Sequence, residues 1–242
     1  VLFELGITRS LFPVPCSLFP LIKLLNSFHI KLIACLLMLI DHVGRVFFPE
    51  ATIMVALGRL SFPLFAWLAA QGEKYTSNIW NYVFRLILLG VISQPIYSHV
   101  YSLIFSATPP LNILFVLAAG VTMIRLAKQV NNGLLKGAIV LLFTTIAIVA
   151  RFEAGFFTLP IVYLMSKFNP GQFNFKWWVV YIVPHILYVA LGGSVIELAG
   201  IIAPLFICLH NGEAGIKTRW FYLFYPVHLG VIAGIKWFLM MY

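Results

Sequence analysis

Long apolar runs, broken at intervals by Gly, Pro and short polar turns, dominate the chain. The runs show little of the two-faced periodicity that marks a helix half in water. Nine of them read as membrane-spanning helices, at residues 30–48, 54–72, 80–100, 111–128, 134–150, 155–168, 177–192, 194–210 and 219–241. The sixth is short and holds Pro160, and the eighth follows Gly192-Gly193 and carries Glu197 near its start. The pattern predicts an all-α, polytopic helical transmembrane bundle. Residues 1–27 stand apart, because Pro13, Pro15 and Pro20 interrupt them and they lack the layout of a cleavable signal peptide. They read as an interfacial lead-in to a single transmembrane domain over 28–242.

Composition supports this reading. Only 10% of residues are charged, where a soluble domain carries about a quarter. The net charge of +9 does not indicate nucleic acid, since the Lys and Arg residues scatter near span ends instead of forming a basic stripe. They also sort by side. The lead-in and the even-numbered connections hold Arg9, Lys23, Lys31, Lys74, Arg125, Lys128, Lys136, Lys167, Lys176, Lys217 and Arg219, while the opposite connections hold mainly Arg45 and Arg151, with Lys236 near the far end. The asymmetry predicts a cytoplasmic N-terminus. Cys16, Cys35 and Cys208 form no CxxC pair and are expected to pack, and the dispersed histidines offer no metal-ligand spacing.

Against this apolar background, Asp41-His42 is the most informative feature. It ends the run Leu32-Ile-Ala-Cys-Leu-Leu-Met-Leu-Ile40, and Asp41 is the sole aspartate. Lipid gives such groups neither water nor counterions, so they point to chemistry, transport or a buried ion pair. Arg45 lies four residues on and shares a helix face with Asp41. Arg59, Asn112, Arg151, Glu153 and His228 fall at a similar outer depth on other elements. A ring of polar groups around an outward-facing cavity would satisfy them all. Individually each has a plainer explanation: Asp41–Arg45 as a structural pair, Arg59 as a snorkelling anchor, His228 as a packing histidine.

Four segments narrow the function. Leu39-Ile-Asp-His-Val-Gly-Arg-Val-Phe-Phe-Pro49, Gly58-Arg-Leu-Ser-Phe-Pro-Leu-Phe-Ala66, Asn112-Ile-Leu-Phe115 and Phe224-Tyr-Pro-Val-His-Leu229 resemble the TraX family in order and approximate spacing, over about residues 28–235. Ser93-Gln94-Pro95 matches a further position with a small polar residue and a proline. One departure is Glu153-Ala154-Gly155, where relatives commonly carry Asp or Ser, then Tyr, then Gly. The resemblance implies an integral membrane acetyltransferase of the bacterial inner membrane. Acetyl-CoA is the implied donor, and the N-terminal amine of pilin, or another envelope-facing acceptor, the implied recipient.

Acetyl transfer needs a base or nucleophile, and a donor where the oxyanion develops. Asp41, His42, Arg59 and His228 are the candidate catalytic residues, with His42 as base or acyl carrier and Arg59 or Asn112 near the oxyanion. Asn112, Tyr225 and Arg45 are the candidate acceptor contacts. Arg85 and Lys74, near the cytoplasmic side, are the candidates for the phosphates of coenzyme A, or else ordinary interfacial anchors. Two other classes fit the same residues: a small proton- or ion-coupled transporter, and a non-catalytic pilus-assembly factor.

Overall fold

The computed structural model describes residues 23–172, 174–216, 218 and 220–241. The expectations for residues 1–22, for Cys16 and for the anchors Lys217 and Arg219 lie outside the described residues. The described chain is helical: α1 Ser27–Phe47, α2 Thr52–Arg59, α3 Ser61–Tyr75, α4 Ile79–Ile104, α5 Ile113–Gln129, α6 Gly133–Val149, α7 Gly155–Lys167, α8 Phe175–Ala190, a 3-10 helix Val195–Ile202, α9 Ala203–Cys208 and α10 Phe221–Met241. With α2 running into α3, and the 3-10 helix into α9, these make nine helical segments joined by short connections among the described residues. The fold is an all-α bundle. Among the described residues, three helical stretches are long and apolar enough to cross a membrane: Thr52–Tyr75, Ile79–Ile104 and Phe221–Met241.

Asparagine sets where the helices begin. The side chains of Asn26, Asn78, Asn112, Asn132 and Asn174 each accept a first-turn backbone N–H of α1, α4, α5, α6 and α8 respectively. The first-turn donors have no partner within the helix, so a polar cap fixes the start. The second predicted span is broken at Leu60, between α2 and α3. Pro63 has no N–H to give the carbonyl four residues back, that of Arg59, so the helical register lapses there. The eighth predicted span is a 3-10 helix leading into one and a half turns of α-helix.

The core lies where α1, α3, α5 and α7 meet, around Ile30, Ala34, Leu64, Trp67, Val121, Ile124, Ile161, Val162 and Met165. The outside is apolar as well. Phe84, Leu88 and Ile92 of α4, Leu134, Leu141 and Val149 of α6, Val183 and Ile186 of α8, and Val227 and Val231 of α10 are all exposed. Apolar surface on that scale suits lipid, not water. Two bridges pin the ends of the bundle. Leu25 pairs with His210 at one end, and Leu111 pairs with Phe152 at the other.

Candidate active site

The site begins with a close helix contact. α1 and α2 pack tightly because Gly58 presents no side chain to Asp41; a Cβ there would stand 2.2 Å from the Asp41 Cβ and 2.5 Å from Oδ1. Asp41 is buried, and both of its oxygens are used. Oδ1 accepts from Arg59 Nη2 at 2.6 Å, and Oδ2 accepts from Arg45 Nε at 3.0 Å. Arg59 also gives Nη1 to Glu197 Oε2 at 3.3 Å, reaching the 3-10 helix. Asp41 therefore bridges both arginines, and Arg59 bridges two carboxylates. Breaking such a chain at one member would strand a buried charge.

His42 is the next residue on α1, turned about 100° away from Asp41. It makes no hydrogen bond to Asp41. Its Nδ1 donates to Met38 O at 2.9 Å, which leaves Nε2 as the lone-pair nitrogen of the neutral ring. His228 of α10 is held the same way, with Nδ1 donating to Phe224 O at 2.7 Å. Its Nε2 then faces His42 Nδ1 at 3.4 Å, and the rings meet edge to face with centroids 5.1 Å apart. The Phe224 ring stacks on His228 at 4.6 Å. Two histidines from helices far apart in sequence thus form one pair beside the arginine–carboxylate chain.

A cavity of about 790 Å³ runs along the bundle from this cluster. Asp41, His42, Gly58, Arg59, Glu153 and Glu197 line one end, and Ser27, Lys31, Tyr75, Tyr82, Thr218 and Tyr222 line the other. Along α1 its wall is Ser27, Lys31, Cys35, Met38 and His42, spaced four, four, three and four residues apart. That spacing is one face of an α-helix. Lys31 and His42 lie eleven residues apart on it, so about 16 Å of helix separates them.

Glu153 enters from the turn between α6 and α7. Backbone bonds from Leu111 N to Arg151 O and from Glu153 N to Leu111 O, both 2.9 Å, hold that turn. Arg151 and Ala154 adopt left-handed φ of 55° and 46°. Such conformations cost non-glycine residues about 1–3 kcal/mol each and persist where the surroundings enforce them. Arg151 is anchored outward, Nη2 donating to Thr108 Oγ1 at 2.5 Å and to Thr108 O at 3.2 Å, while Glu153 turns in. Burial raises the Glu153 carboxyl to about 7, against the opposing pull of Arg59 and Arg45.

The sequence-derived candidates divide. Asp41, His42, Arg59 and Tyr225 line the cavity, with His228 and Arg45 directly behind them. Asn112 is not among them. It is fully buried, its Nδ2 donates to Gly90 O and Gln94 Oε1 at 2.8 Å each, and its Oδ1 caps Leu114 N. The donor once available to an oxyanion is committed to joining α5 to α4. Lys74 is exposed beside the Tyr75 ring, and Arg85 is exposed 6.0 Å from the Tyr222 ring; neither lines the cavity, though both Tyr rings do. Three charged cavity residues carry no assigned role in the sequence reading: Lys31, Glu197 and Glu153, the last of these a member of the expected polar ring. Lys31 had a readable signal, its place on the helical stripe with His42, and Glu197 lay at the predicted outer depth.

Comparison with known proteins fits this arrangement. The chain is 24% identical over 238 residues to the "Probable fimbrial assembly protein FimC, serogroup H1" of Dichelobacter nodosus, an alignment covering 88% of this chain and 97% of that relative. No solved structure matches the chain. Residues 27–236 match the family described as TraX protein, a span that takes in the Asp41–Arg59 chain, the histidine pair and the whole cavity lining, and on that match this helical membrane protein belongs to the TraX family.

Proposed function

We propose that this protein is an integral membrane acetyltransferase that moves an acetyl group from acetyl-CoA to an amine on the envelope side, the N-terminal amine of pilin being the acceptor. The observation that carries the reading is the single cavity joining a Lys31- and tyrosine-lined end to the His42–Arg59–Glu153 end. The basic-residue asymmetry sets the Lys31 end at the cytoplasm, where coenzyme A resides. Lys31 suits a phosphate, with Arg85 at the rim, and the roughly 16 Å from Lys31 to His42 is a length a phosphopantetheine arm bridges. The acceptor reading draws on the relative named as a fimbrial assembly protein and on Glu153 and Glu197, carboxylates that complement an ammonium.

In this mechanism the acceptor ammonium first loses a proton, to Glu153 or to His42 Nε2. The amine nitrogen attacks the thioester carbonyl, the C–N bond forms, the C–S bond breaks, and the coenzyme A thiolate takes up a proton. Asp41 and Glu197 hold Arg59 where its charge offsets the developing oxyanion. His228 orients His42 and shares its proton. If His42 Nε2 attacks first instead, the acetyl group is relayed to the amine in a second step with the same overall balance. The test is the intact mass of pilin co-expressed with the protein, with its His42→Ala variant, or without either. One added acetyl group with the wild type alone is the expected result. An unchanged pilin mass beside folded, inserted wild type would sink the reading and return the cavity to a transport role.

A further inference from the structure

A second charged cluster lies at the Lys31 end of the bundle, outside the cavity. Glu73, in the last turn of α3, is 3% exposed. Lys128 Nζ pairs with its Oε2, and Arg125 Nη1 lies 3.7 Å from Oε1, both cations coming from the end of α5. Lys167, in the last turn of α7, is within electrostatic reach of Glu73, Lys128 and Lys136, the last of these in the first turn of α6. Three cations from two helix ends therefore converge on one carboxylate, and Lys136 stands within reach of Lys167, so four cations and one carboxylate leave an excess of three positive charges. The other described carboxylates stand elsewhere: Asp41, Glu50, Glu153 and Glu197 at the opposite end, and Glu213 in the α9–α10 connection beside Asn211.

We propose that this cluster binds the headgroup of an anionic phospholipid. Glu73 holds Arg125 and Lys128 in place while leaving their side chains 49% and 41% exposed, and Lys167 is exposed beside them. Cations clustered without matching anions repel one another, and a phosphate relieves that repulsion. Scattered interfacial anchors would not need to converge from two helices on one buried carboxylate. The neighbouring surface selects a lipid over a free phosphate. Leu134 and Leu135 precede Lys136 at 86% and 53% exposure, and Leu141 and Leu142 continue the apolar wall along α6. A phosphate among the four cations would lay its acyl chains on that wall.

The test uses the purified full chain in neutral detergent, followed by thermal melting and native mass spectrometry. The probes are cardiolipin, phosphatidylglycerol, phosphatidylcholine and soluble pyrophosphate. The anionic lipids should raise the melting temperature and stay bound, while phosphatidylcholine and pyrophosphate should not. Lys136→Gln with Lys167→Gln leaves the Glu73 pairs intact and should weaken anionic-lipid binding about 30-fold, roughly five-fold per lysine, without changing the melting temperature in phosphatidylcholine. The Lys136→Arg, Lys167→Arg variant should bind like the wild type. An equal response to pyrophosphate would overturn the proposal in favour of a free phosphate. Undiminished lipid binding by the double Gln variant would overturn the site itself, and a folding defect in that variant is bypassed by the charge-keeping Arg pair against single Lys167→Gln.

Discussion

Gly58→Ala tests the geometry on which the candidate site depends. Taken by itself, alanine should stabilise a helix by about 1 kcal/mol over glycine. At position 58 the new methyl would sit 2.2 Å from the Asp41 Cβ, and a Cβ cannot rotate aside. Reaching ordinary contact means moving α1 from α2 by more than 1 Å, enough to strain the 2.6 Å Arg59–Asp41 bond. Overpacking of that kind costs about 1–3 kcal/mol, and the rigid partner puts this case near the upper end. The net expectation is a loss of about 2 kcal/mol, or roughly 4–8 °C in melting temperature for a chain of this size, with transfer activity falling further. Gly234→Ala supplies the control: α10 offers its Cβ open space, so that variant should hold or gain stability. Melting both in the same detergent gives the answer. If Gly58→Ala melts at or above the wild type, as Gly234→Ala should, the close approach of Asp41 to α2 is wrong and the arginine chain built on it fails.

Other changes probe the same site from different directions. Asp41→Asn should cost about 3–5 kcal/mol by stranding two arginines, and adding Arg59→Gln should recover part of that loss; strict additivity in a thermal-melting cycle would mean that the two are not coupled. His42→Ala should lower acetyl transfer by about 10²–10⁴ while leaving insertion intact, and near-normal turnover would remove His42 from the mechanism. With a Glu153 carboxyl near 7, transfer should rise with pH through neutrality as the carboxylate forms. Glu153→Gln should abolish that rise. The stability sign runs the other way: a carboxyl raised by folding stabilises most below its unfolded pKa, so the wild type should lose stability relative to Glu153→Gln between about pH 4.5 and 7. Parallel pH profiles for the two proteins would refute the assignment.

The helices are legible in the sequence because apolar length and polar punctuation dictate them, and seven of the nine described segments run as uninterrupted helices. The depth argument likewise gathered Asp41, His42, Arg59, Glu153 and His228, since charge in lipid is costly wherever it lies. Which members of that ring reach the cavity depends on tertiary contact. Glu153 reaches the cavity only because the Leu111 bridge forces Arg151 and Ala154 into left-handed turns, and neither residue type advertises that conformation. Asn112 matched in depth and motif, yet the nearby Gln94 and Gly90 absorb its amide. The pairing of Glu73 is likewise tertiary, since α5 and α7 bring Arg125, Lys128 and Lys167 to it. The break at Leu60 was within reach, because Pro63 marks it, but whether a proline bends a helix or ends it depends on what the freed carbonyl of Arg59 meets; here Gly200 lies close by.

The stripe Ser27–Lys31–Cys35–Met38–His42 has a genetic consequence. One helix carries both ends of the cavity, so it acts as a ruler. A single-residue insertion between Cys35 and Asp41 leaves its hydropathy almost unchanged but turns everything beyond it by about 100° and advances it by about 1.5 Å. His42 would leave the cavity, and Asp41 would turn from Gly58 toward another neighbour. Seven inserted residues, close to two full turns, would restore the angle but lengthen the span by about 10 Å. Within this segment α1 should therefore tolerate changes of letter far more readily than changes of length.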